Sequence, residues 1–207
     1  MSKKLIATLS IGLLMCTSAI AEMSGDEEAI ALSDRMIESI GGKTLWSSIR
    51  SLHVIEQSRS VRGDGILGEF WRDLQQPRER YTLSNRDGLE IEFWWNDRGV
   101  WQFINGEQNE SLPKNLHEEV SRYWAGEIYV MYHRLAKDDP SIRLEKNEDN
   151  SFTAFDQAQD RRLGTFWIND DSELYRWRHD DGTEYIYGPY RNFGEINFPD
   201  WGTQVDG

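Results

Sequence analysis

Between Gly88 and Gly106 the chain alternates with a period of two. Leu89, Ile91, Phe93 and Trp95 fall on one side, and Glu90, Glu92 and Trp94 on the other. Successive side chains of a strand point to opposite faces, so this is the spacing of a strand with one buried face. Asn96 to Gly99 supplies a short polar turn and Val100 to Ile104 a returning strand, which together predict a β-hairpin.

The same reasoning extends in both directions. Ile30, Met36, Ile37 and Ile40 recur at helical spacing behind Ser24 or Asp26 as a cap, and Gly41-Gly42 ends the run. Lys43 to Ile49 forms a second helical turn around Leu45 and Trp46. Leu52–Val61, Ile66–Leu74 and Arg80–Ser84 read as strands, separated by Arg62–Gly65 and by Gln75–Arg78 with its Pro77. With the hairpin they make an antiparallel meander. From Asn115 to Ala136 the period changes: Leu116, Val120, Tyr123, Trp124, Ile128, Met131 and Leu135 predict one long helix. Strands then resume at 141–146, 151–156, 161–168, 173–179 and 183–190, and the tail has room for one more. A lone helix between two runs of strands hides its apolar stripe on a sheet.

The first residues stand outside this pattern. Lys3 and Lys4, an apolar run from Leu5 to Met15, and Ala19-Ile20-Ala21 read as a secretory signal cut after Ala21. The expected organisation is a signal peptide over 1–21 and one domain over 22–207, placed in the periplasm. Cys16 leaves with the signal, so the mature chain has neither a disulfide framework nor a thiolate. About 185 residues suffice for an ordinary core. No later run is apolar for long enough to cross a membrane. The formal charge is −13, or −15 once Lys3 and Lys4 are gone, which disfavours nucleic acid and anionic membrane surfaces as partners.

Candidate chemistry is sparse. His117-Glu118-Glu119 opens like a helical zinc motif, but position 121 is Ser, and the four histidines lack ligand spacing, so no metal is expected. Asp170-Asp171 and Asp180-Asp181 lack the calcium-loop pattern. No nucleophile elbow, Walker loop or dinucleotide fingerprint occurs, and no cofactor is expected. Glu90 and Glu92 beside Trp94, and Glu69 and Asp73 beside Trp71, are the carboxylate and aromatic types a glycan-cleaving groove uses. They also suit the wet face of a half-buried sheet.

Four segments in order resemble the LolA/LolB-like periplasmic lipoprotein-carrier superfamily. They are Ile40-Gly41-Gly42 with Leu45-Trp46; Phe70-Trp71 leading to Pro77-Arg78 and Arg80-Tyr81; the hairpin Trp95 to Trp101; and Tyr190-Arg191, Gly194 and Phe198-Pro199. The resemblance implies a mainly β (α+β) fold. In it a single strongly curved antiparallel sheet forms an incomplete barrel, with the N-terminal and long central helices packed on its concave face. It also implies an apolar cavity that shelters acyl chains, and a lid held by an arginine, a role to which no arginine of this chain is matched. The expected function is therefore non-enzymatic binding of an apolar small molecule, a lipid or an acylated protein. Tyr81, Leu83, Leu89, Ile91, Phe93, Trp95, Trp124 and Met131 are the expected cavity wall. Trp94 shares the parity of Glu90 and Glu92 and is the expected partner surface if the domain is an interaction or sensor module. A glycan-active enzyme is the third expectation.

Overall fold

The computed structural model describes residues 22–59 and 65–205. The expected signal segment and most of the turn at Arg62–Gly65 lie outside the described residues. The chain opens with β1 (Ser24–Gly25), α1 (Glu27–Ser39) and α2 (Lys43–Ser48). An antiparallel meander follows: β2 (Ser51–Arg59), β3 (Gly65–Asp73), β4 (Glu79–Asn85), β5 (Glu90–Asn96), β6 (Gly99–Ile104) and β7 (Glu107–Gln108). The last turn is Asn105-Gly106, with φ of 51° and 82°. Two central residues at positive φ are what a two-residue hairpin loop requires, and Asn-Gly meets that need cheaply.

Helices α3 (Leu116–Gly126) and α4 (Ile128–Ala136) come next. The second half of the chain holds β8 (Ile142–Lys146), β9 (Ser151–Asp156), β10 (Arg161–Ile168), β11 (Leu174–His179) and β12 (Glu184–Tyr187). It closes with β13 (Tyr190–Phe193), β14 (Ile196–Pro199) and β15 (Gly202–Val205). With 46% strand against 22% helix, the mainly β class is confirmed.

Two expectations need correction. The strands do not form a single sheet. β2 to β7 make a six-stranded ladder in sequence order, and a seven-stranded ladder runs β1-β8-β9-β10-β11-β12-β15, with β13 and β14 as a separate pair. Neither sheet is closed or strongly curled. The division falls where α3 and α4 interrupt the meander. The expected long helix is also two helices. Glu127 takes an extended backbone (ψ 140°), and its carboxylate accepts from the amides of Tyr129 at 2.9 Å and Val130 at 3.2 Å, capping α4. Gly126 ends α3 against β10, where a Cβ would lie 2.5 Å from the Leu163 carbonyl oxygen. The break inserts no residue, so the spacing from Trp124 to Ile128 to Met131 runs on as if uninterrupted.

The main core sits on the seven-stranded sheet. α1 packs on β8 and β9, and α2 packs on α4. Leu32, Met36 and Ile37 of α1 meet Leu144, Phe152 and Phe166 in one buried cluster. Trp46 is fully buried there; its Nε1 donates to the Ile40 carbonyl at 3.1 Å, and its ring meets Tyr132 edge-on at 5.2 Å and Phe198 at 5.8 Å. Phe198 belongs to the tail, which holds three strands rather than one; Tyr190, Ile196 and Phe198 of β13 and β14 pack against this core. Leu52 and Leu74 join the cluster from the ends of β2 and β3, so the six-stranded sheet touches this core at one end.

Candidate functional site

The register of the six-stranded sheet sorts its side chains into two faces. Across β3, β4 and β5, Phe70 pairs with Tyr81 and Tyr81 with Phe93; in the next row Leu83 pairs with Ile91. Val54 stands opposite Phe70 on β2, and Ile104 opposite Ile91 on β6. This inner face is apolar along most of its length. Tyr81 stacks on Phe93 with centroids 5.0 Å apart, and Phe70 tilts against Tyr81 at 5.6 Å.

Coverage of the inner face is graded. Trp95 and Phe93 are only 3% and 5% exposed, Ile91 is half-buried, and Leu89 is 40% exposed. The covered end is the one that α3 fastens. His117 Nε2 lies 2.8 Å from the Asn96 carbonyl oxygen, and Trp124 Nε1 donates to the Asp73 carbonyl at 2.8 Å. Arg72 makes the third tie, with its guanidinium 2.5 Å from Glu127 at the head of α4 and 2.5 Å from Glu79 on β4. All three side chains are nearly buried, and the guanidinium also lies 5.7 Å from the centre of the Tyr129 ring.

Burial dominates the electrostatics here. It pushes the Glu127 carboxyl up despite the opposing pull of Arg72, while Glu127 and Glu79 keep Arg72 protonated. Burial, reinforced by Glu79, pushes the Tyr81 phenol up to about 12. Burial and then Glu127 raise Tyr129 well above the usual phenol range. These phenols stay protonated at neutral pH. Asp73 behaves oppositely: burial alone would raise it, but the amides of Gln75 and Gln76 and the Arg78 guanidinium outweigh that and hold it low.

The expected cavity residues separate into two groups. Tyr81, Leu83, Ile91, Phe93 and Trp95 share the inner face, and Leu89 extends their row beyond the end of β5. Met131 lies in the buried cluster on the other sheet, and Trp124 packs against that cluster from α3. Arg72 and Glu127 were missed by the sequence reading. A charged residue inside an apolar strand face and an acid inside an apolar helical stripe were the available signals.

The opposite, outer face has an open groove of about 950 Å³ that includes Trp94. Trp94 is half-buried and stacks on Trp101 with centroids 4.2 Å apart. Among the described residues no helix is long and apolar enough to cross a membrane, and no group of His, Cys, Asp or Glu could hold a metal ion. Comparison with family models, with curated proteins and with solved structures finds no match for this chain.

Proposed function

We propose that this chain is a non-enzymatic exported protein of the LolA/LolB-like kind that binds an apolar ligand, a lipid or the acyl chains of a lipoprotein. The ligand lies on the inner face of the six-stranded sheet. In this reading the two sheets are the walls of an incomplete barrel, α3 and α4 are its cover, and the N-terminal signal directs the chain to the periplasm.

The observation that carries the reading is the graded inner face. Its apolar side chains continue from the buried Phe93 and Trp95 out to the half-covered Tyr81, Leu83 and Ile91. An ordinary core would finish covering that surface. A guest that hides ten methylenes there would gain about 8 kcal/mol before ordering costs are subtracted. The Arg72 tie to Glu127 supports the same reading, because it fastens the helices to the sheet at one end and leaves the other end accessible.

The test is uptake of the environment-sensitive dye N-phenyl-1-naphthylamine, followed by displacement with palmitate. Leu83→Glu and Ile91→Glu place a carboxylate on the half-covered face without cutting a buried core contact. The reading expects dye binding and palmitate displacement in the wild type, and loss of both in the two variants with unchanged circular dichroism. Absent dye binding, or binding that both variants retain, would refute it.

A further inference from the structure

The outer face of the six-stranded sheet has an order of its own. His53 pairs with Trp71, Trp71 with Arg80, Arg80 with Trp94, and Trp94 with Trp101, one residue from each of five adjacent strands. The row is stacked from both ends. His53 lies parallel to Trp71 at 4.7 Å, and Trp94 lies nearly parallel to Trp101 at 4.2 Å. Each inner tryptophan has thus spent one ring face on its outward neighbour. The remaining faces look toward each other across β4, two strand spacings or about 10 Å apart.

Arg80 of β4 stands between them. Its guanidinium lies 5.3 Å from the centre of the Trp71 ring and 3.0 Å from Glu92, and its side chain is 55% exposed. A pair so open to solvent is weakly held, and a long side chain in it swings aside at little cost. The gap is wide enough for a ring-shaped guest stacked on either tryptophan at van der Waals distance, about 3.5–4.0 Å.

The charges around the groove narrow the class of guest. Apart from the nearly buried Arg72 and Glu79, which belong to the inner side, its walls carry three arginines and three carboxylates, and most are matched internally: Arg78 with Asp73 and Arg80 with Glu92. In a chain of net charge −13 this groove is locally balanced, so it favours neither a polyanion nor a polycation. An acyl chain would take Glu90 and Glu92 out of water without giving them hydrogen bonds. A neutral sugar ring offers C–H faces to the tryptophans and hydroxyls to the carboxylates and the guanidinium.

We infer that the outer groove of the six-stranded sheet binds a neutral saccharide chain, with Trp71 and Trp94 as the platforms on which its sugar rings stack. Glu90, Glu92 and the displaced Arg80 accept or donate hydrogen bonds to its hydroxyls. This site lies on the face opposite the apolar one and stands or falls independently of it.

The experiment is calorimetric titration of the purified protein with cellotetraose and with tetra-N-acetylchitotetraose, alongside a heparin oligosaccharide and an arginine-rich peptide. The expected result is binding of a neutral tetrasaccharide with a dissociation constant below about 1 mM. Trp71→Ala and Trp94→Ala should each weaken it about tenfold or more, the scale of one lost aromatic stacking platform. Glu90→Gln, on an exposed side chain, should weaken it by a smaller factor and provides a reading even if a tryptophan variant fails to fold. No heat with either neutral sugar at millimolar concentration would overturn the inference. So would binding that folded Trp71→Ala and Glu90→Gln both retain in full, or preferential binding of the heparin oligosaccharide or the peptide.

Discussion

Replacing Arg72 by methionine removes the cation that bridges two nearly buried carboxylates. Arg72, Glu79 and Glu127 have side chains only 11%, 8% and 6% exposed, so solvent screens little of what is lost. Deleting one partner of a buried pair costs about 3–5 kcal/mol, because the other partner stays behind uncompensated. Here two acids stay behind, so the upper part of that range is expected. Domains of this size have about 5–15 kcal/mol of stability in total, so a variant that still folds should show a clearly lower urea midpoint. The pH dependence follows from the raised folded-state pKa of Glu127. An acid with a raised folded pKa binds more protons folded than unfolded, so stability falls as pH rises through that pKa. Removing Arg72 takes away the pull that opposes this rise and lifts the carboxyl further, so the deficit of Arg72→Met is largest at neutral pH and shrinks as pH falls toward the ordinary carboxylate range. Adding Glu127→Gln to Arg72→Met should recover part of the loss. The assay is urea unfolding followed by tryptophan fluorescence across that pH range. A deficit under about 1 kcal/mol at neutral pH, or one that grows on acidification, would refute the role given to this cluster.

Three further outcomes are expected. Asp73→Ala, which strips the Gln75 and Gln76 amides and Arg78 of their acceptor, should cost about 1–3 kcal/mol at neutral pH. Because the folded pKa of Asp73 is lowered, that cost should fade as pH falls through it, the reverse of the Arg72 case, and thermal melts at stepped pH check this. Trp46→Ala should cost about 3–5 kcal/mol by urea unfolding, since a fully buried ring and its hydrogen bond to Ile40 both go. Gly126→Ala drives a methyl onto the Leu163 carbonyl and should cost about 1–3 kcal/mol by urea unfolding.

Much of this architecture was legible because its signals are local. The alternation from Leu89 to Trp95 located β5 and both of its faces, and Trp94 was correctly separated from its neighbours by parity alone. The helix break at Glu127 was not legible. It leaves the three-and-four spacing intact, and its causes are the approach of β10 to Gly126 and the capping of α4 by Glu127. The two-sheet division depends on which strands pair, and a polar run such as Asn109 to Lys114 does not state that. The Arg72 cluster joins β3, β4 and the helix junction, residues up to 55 positions apart in a chain read one segment at a time. The row from His53 to Trp101 depends on strand register, which is set by turn lengths and packing rather than by any one residue.

The central claim is that the half-covered inner face holds an apolar guest. Its most direct test is native mass spectrometry of the protein purified from its own cells, with Leu83→Glu prepared in parallel and lipid extraction of both samples. The account predicts a reproducible lipid adduct on the wild-type protein that is absent from the variant. Unliganded protein alone in both samples, or the same adduct on both, would contradict it.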